Sequence, residues 1–120
     1  MGDRAMAVVK TEGGSIYVYT HRGGSELPND AKKAVIAAKP RWDDYPYATR
    51  IIIDQLTKGG RDQETGYGIL LRPDAEDSYN NDSPSVIIDL LNKELSWILP
   101  SGEFQTISFQ DLKEGITNEV

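Results

Sequence analysis

The residues best suited to chemistry lie in one short glycine-rich segment, residues 20–25. It follows a β-prone stretch and precedes a helix-prone one, and the free N–H groups and the dipole at a helix start favour an anion. Two glycines let a ligand approach the backbone closely, and an arginine suits a phosphate group. We therefore predict a site for a small anionic, nucleotide-type ligand that includes His21, Arg22, Gly23, Gly24 and Ser25.

The same segment also has a purely structural interpretation. It matches neither the dinucleotide-binding fingerprint nor the P-loop, and two glycines with Ser25 as a cap are typical of a tight turn. His21 is the only histidine, and a catalytic base needs an orienting carboxylate and a nucleophile, neither of which is adjacent. We expect no catalytic residue, and a small nucleotide-cleaving enzyme that uses His21 is an alternative.

Three further residues are predicted to join the site. Trp42 lies in an aromatic and charged segment, residues 41–47, where it could stack on a base or anchor a helix against the core. Arg50 follows in the next helix and suits an anion. Tyr67 lies between two glycines at a strand edge, where a ligand or a bulge is expected.

Metal sites are not expected. The chain has no cysteine, which excludes disulfides and thiolate ligands. The acidic loop 74–85 lacks the glycine and the glutamate that an EF-hand requires at its sixth and twelfth positions. We predict neither a metal nor another cofactor.

The elements that must position these residues follow from hydrophobic periodicity and turn signals. Helices are predicted over residues 28–38 and 43–58, with Asp43 or Asp44 as the N-cap of the second. Strands are predicted over residues 7–10, 15–20, 67–71, 86–91 and 94–99, with another strand near 106–109 and a helical turn in the tail. The order ββ-αα-βββ predicts an α+β two-layer sandwich, an antiparallel sheet with both helices on one face.

The expected faces of these elements can be read from the spacing of apolar residues. The predicted helix stripes are Ala31, Ala34, Val35 and Ala38, then Ala48, Ile51, Ile52 and Leu56. Tyr17 and Tyr19 alternate with Ile16 and Val18, so they should lie on the face that the helices leave uncovered. Exposed aromatic patches are typical of interfaces, and we therefore predict a homodimer.

Length and charge restrict the class of protein. At 120 residues the chain is expected to form one α+β domain over residues 6–120, after a vector-derived leader at 1–5. No apolar run approaches the ~20 residues that span a bilayer, so we expect a soluble cytoplasmic protein without a membrane partner. Residues 1–61 hold ten basic and seven acidic side chains, and residues 62–120 hold three and twelve. This balance disfavours duplex nucleic acid, and the acidic half suits a basic surface on another protein.

Three blocks of the sequence resemble a small uncharacterised family encoded by bacteriophages and prophages. They are residues 17–21 followed by 23–28, residues 41–44 followed by 47–52, and residues 64–69. The resemblance implies a viral accessory protein in the host cytoplasm, and proteins of this kind often interfere with host defence. Such a protein could sequester a nucleotide signal or, as an alternative, block a basic surface of a host protein with its acidic residues.

Overall fold

The computed structural model describes residues 5–20, 26–60, 62–71, 85–99 and 101–113. Within them, strands β1 and β2 (Ala5–Thr11, Gly14–Thr20) are followed by helices α1 and α2 (Leu27–Ala37, Tyr45–Thr57). Four strands and a short helix then complete the order: β3 Tyr67–Leu70, β4 Val86–Asp89, β5 Glu94–Ile98, β6 Phe104–Ser108 and α3 Phe109–Lys113. The predicted α+β class is confirmed, and so are the strand and the helical turn expected in the tail.

The sheet has six strands in the order β3-β2-β1-β4-β5-β6. Four of its five pairs are antiparallel, but β1 and β4 are parallel, with Val8 opposite Ile87. The prediction of a wholly antiparallel sheet is therefore corrected to a mixed sheet. Turn sequences specify the hairpin pairs β1–β2 and β4–β5, whereas β1 and β4 are far apart in the chain and have no local signal for their orientation.

One face of the sheet packs against both long helices, as predicted. Four residues on α1 and its C-cap are fully buried: Ala31, Ala34, Val35 and Ala38. On α2 the buried positions include Ala48, Ile52 and Leu56, whereas Ile51 of the predicted stripe is only partly buried. The small alanines allow a close helix approach, and the three- and four-residue spacing places these side chains on one side of each helix.

The opposite face of the sheet carries a second set of apolar residues. Val8 of β1 lies between Tyr17 of β2 and Ile87 of β4, and Met6 lies opposite Tyr19. Met6 and Val8 are buried, whereas the two tyrosines are partly buried. The predicted orientation of Tyr17 and Tyr19, away from the helix-packed Val18, is confirmed.

The connection between α1 and α2 is held by contacts to α1, to α3 and to the turn after β4. Trp42 donates from Nε1 to the carbonyl of Val35 at 2.9 Å, and its ring lies 5.0 Å from the ring of Phe109. The Lys93 ammonium lies 3.2 Å from the Asp43 carboxylate. Asp44 occupies the N-cap position of α2 as predicted, but its side chain makes no capping hydrogen bond. The start of α2 is therefore fixed by tertiary contacts.

Candidate ligand-binding groove

The predicted site residues fall into two groups. His21, Arg22, Gly23, Gly24 and Ser25 lie outside the described residues, as do residues 74–84 of the acidic loop. Trp42, Arg50 and Tyr67 are described, and each lines a different groove. The indole N–H of Trp42 donates a hydrogen bond to the carbonyl of Val35, which agrees with the interpretation of this residue as an anchor for the helix.

Tyr67 lies beside the end of the strand that leads into the glycine segment. It pairs with Thr20, and both residues line a groove of about 410 Å³ together with Gly59, Gly60 and Gly66. A Cβ atom at Gly60 would lie 2.8 Å from Cε2 of Tyr67, so the tyrosine ring packs where only glycine leaves room. The described lining of this groove contains no lysine or arginine, so any cation for an anionic ligand there would have to come from elsewhere.

Arg50 lines a larger groove, of about 660 Å³, between α2 and the turn that joins β1 to β2; we call it the α2 groove. Its volume lies within the range of about 300–1,000 Å³ that small-molecule sites occupy. The walls are mainly apolar and include Ile16, Pro46 and Ile53, with Tyr45 at the start of the helix. Two elements that are distant in the chain thus form one concave apolar surface.

The turn that closes one side of the α2 groove has a defined structure. The Thr11 hydroxyl donates to the carbonyl of Gly14 at 2.9 Å and accepts from the N–H of Gly13 at 3.3 Å. Gly14 has a φ of 139°, a conformation that side-chain-bearing residues rarely adopt. This turn holds Glu12 and Gly13 at the rim, and a Cβ atom at Gly13 would meet nothing within 4 Å.

Thr49 is the unusual residue of the α2 groove. Its side chain lies in the wall, the residue is only 9% exposed, and its hydroxyl oxygen is buried without a hydrogen-bond partner. Thr57, two turns further along the same helix, instead donates to the carbonyl of Ile53 at 2.9 Å. A buried polar group without a partner costs about 1–3 kcal/mol, so the Thr49 hydroxyl needs an explanation.

The charges of the α2 groove lie at its rim. Arg50 pairs with Asp54 at 3.5 Å, and both side chains are substantially exposed. Glu12 is exposed and forms no ion pair with a residue that the structure describes. The lining therefore contains one positive and two negative side chains.

The arrangement is suited to binding. The described lining offers hydroxyl, carboxylate and guanidinium groups beside apolar walls, and such groups can hold a ligand by hydrogen bonds and charge. Elsewhere in the described ranges, no group of three His, Cys, Asp or Glu side chains could hold a metal ion. In those ranges no helix is long and apolar enough to cross a membrane.

The sequence singled out Arg50 for an anion site but gave no prediction for Thr49 and Glu12, which line the same α2 groove. The available signal was the position of Thr49, which is three residues before Ile52 and therefore on the buried side of α2. A polar residue within an apolar helix stripe is worth testing as a site residue. Glu12 had no such signal, because its contribution depends on the tertiary approach of the turn to α2.

Comparison of the chain with protein-family models, curated proteins and solved structures finds no match.

Proposed function

We propose that the protein is a non-enzymatic binding protein for a small, largely apolar ligand, which it holds in the α2 groove. The observation that carries the proposal is the buried, unpartnered hydroxyl of Thr49 in the wall of that groove. Ligand sites commonly combine apolar walls with a few placed polar groups, and the α2 groove has this composition.

The Thr49 hydroxyl can serve a ligand through a side-chain rotation. Threonine in a helix occupies two χ1 rotamers, and a change from one to the other moves its hydroxyl to a different staggered position. A ligand with a carbonyl, amide or hydroxyl group would then give the oxygen the partner that it lacks. This gain would offset part of the cost of ordering the ligand.

We also propose an anionic, nucleotide-type ligand at residues 21–25, with Tyr67 as a further site residue. The groove that Thr20 and Tyr67 share favours this location, since Thr20 directly precedes the glycine segment. In this proposal Arg22 supplies the positive charge.

From the resemblance to bacteriophage proteins we propose a viral accessory protein that acts in the host cytoplasm. In this proposal it counteracts host defence by sequestering a host signal molecule. Blocking of a basic host-protein surface and nucleotide cleavage by His21 are the alternatives. Self-association through the face of Tyr17 and Tyr19 is part of the same proposal.

The test is a fragment screen against ¹⁵N-labelled protein, with mono-, di- and cyclic nucleotides included. We expect apolar fragments with one hydrogen-bonding group to shift the amide signals of Gly13, Thr49 and Ile53. A Gly13→Trp variant should block these fragments because it fills the rim, whereas Gly13→Ala should not, since a Cβ atom is tolerated there. Product analysis of the nucleotide samples tests cleavage by His21.

The outcomes distinguish the proposals. Fragment-induced shifts that Gly13→Trp abolishes and Gly13→Ala retains would support the α2 groove. If no fragment shifts the groove signals of a folded protein, the groove is not a ligand site. Shifts from nucleotides alone, centred on Tyr67, would favour the second binding proposal.

A further inference from the structure

We infer that the α2 groove selects a cationic ligand, a small aromatic or apolar molecule with a positively charged hydrogen-bonding group. The inference rests on the proposed function and names the ligand class of the same groove. It differs from the anionic ligand predicted at the glycine segment.

The rim of the α2 groove carries an unbalanced negative charge. Arg50 is the only basic side chain in the described lining, and its guanidinium lies 3.5 Å from the Asp54 carboxylate. Glu12 is then left as a carboxylate without a described ion-pair partner. A cation at the rim would be attracted by Glu12, whereas an anion would meet it as a like charge.

The charged groups on the other side of Glu12 complete the charge balance of the rim. This residue also lines a neighbouring groove of about 500 Å³ with Lys39, Arg41, Asp43 and Asp44. Arg41 lies 3.7 Å from Asp44, and Asp43 is paired with Lys93. Lys39 is exposed and has no ion pair within 4.0 Å among the described residues, so Glu12 forms no direct ion pair on that side.

The walls and the polar residues of the α2 groove together restrict the shape of its ligand. The walls formed by Ile16, Pro46 and Ile53 require an apolar body, since a fully hydrated ion would lose solvation against them. The turn holds Glu12 at the rim and Thr49 lies in the wall, so the charge of the ligand is expected to face Glu12 and its hydrogen-bonding atoms to face Thr49. A flat ring that carries one cationic group has this shape.

The test uses three probes of nearly the same shape and different charge: benzamidine, benzamide and benzoate. Titration of ¹⁵N-labelled protein should give the tightest binding for benzamidine, about two- to five-fold tighter than benzamide, because an exposed ion pair contributes this much. Benzoate should bind most weakly. Glu12→Gln should remove the advantage of benzamidine over benzamide, whereas Glu103→Gln, the same charge change at an exposed residue before β6, should keep it.

Each result has one meaning. Benzoate binding as tightly as benzamidine would overturn the cationic class and leave the groove as a ligand site. An advantage of benzamidine over benzamide that survives Glu12→Gln would overturn Glu12 as the source of the selectivity. Absence of groove shifts with all three probes, together with a negative fragment screen, would overturn the proposed function and this inference with it.

Discussion

Replacement of Thr49 by valine separates the stability of the fold from the function of the groove. Valine has nearly the shape and the helix propensity of threonine but lacks the hydroxyl, so the substitution removes the unpartnered polar atom and little else. A buried hydroxyl without a partner costs about 1–3 kcal/mol. We therefore expect Thr49→Val to raise the free energy of unfolding by about 1–2 kcal/mol.

This gain is large enough to measure by thermal or urea unfolding. For 120 residues, an unfolding entropy of about 2.1 cal/mol/K per residue converts 1–2 kcal/mol into a rise in Tm of about 4–8 °C. The matched control is Thr57→Val in the same helix, where the hydroxyl already donates to Ile53. Loss of that bond should give no stabilisation and a decrease of up to about 1.5 kcal/mol.

The reasoning also predicts opposite effects of Thr49→Val on stability and on binding. The variant should be more stable than the wild type and should bind benzamide more weakly, because the ligand loses its hydrogen bond. A destabilised Thr49→Val protein would refute the account, since it would mean that the hydroxyl has a partner in the folded chain. Unchanged benzamide affinity would remove Thr49 from the site.

The remaining predictions concern the turn after β4 and the face of the sheet opposite the helices. Partial burial raises the pKa of Asp89, but bonds from Asn92 and Leu91 outweigh it and hold the pKa below its usual value. The stability that this shift provides should be fully present above the unfolded pKa of about 3.9 and should be lost as the pH falls through the lower folded pKa. The measurement is the free energy of unfolding of wild type and Asp89→Asn as a function of acid pH. Light scattering should give a dimer mass at high micromolar concentration and a monomer for Tyr17→Glu; a monomeric wild type would contradict the predicted interface.

Most of the secondary structure follows from local patterns in the sequence. The run of isoleucines at 51–53 is β-prone by composition, yet the flanking caps and the stripe Ala48, Ile51, Ile52 and Leu56 predict a helix. The structure has α2 there, with Ile51 only partly buried. In this segment the burial of one helix face outweighs local propensity, as is usual when a stripe has a sheet to pack on.

The pairing of β1 with β4 could not be predicted in the same way. The register of Ala7 with Val86 joins residues almost eighty positions apart, and no turn between them fixes the direction of either strand. Alternation of apolar residues shows which face is buried but is the same for parallel and antiparallel neighbours. The mixed sheet is therefore a property of the assembled fold.

The site was only partly predictable for a related reason. Arg50 was predicted as a site residue from its chemistry, but its ion pair with Asp54 changes what it offers a ligand. Thr49 and Glu12 become a site only where α2 approaches the β1–β2 turn, a contact that sequence spacing does not encode. The predicted involvement of His21 and Arg22 lies outside the described residues and stays a prediction.

The most direct test of the α2 groove is to locate a bound probe by intermolecular nuclear Overhauser effects. Benzamidine in complex with the protein should show contacts from its ring protons to the methyl groups of Thr49, Ile16 and Ile53, which line the groove. Contacts only to Met6, Val8 or Tyr17, on the opposite face of the sheet, would contradict the account.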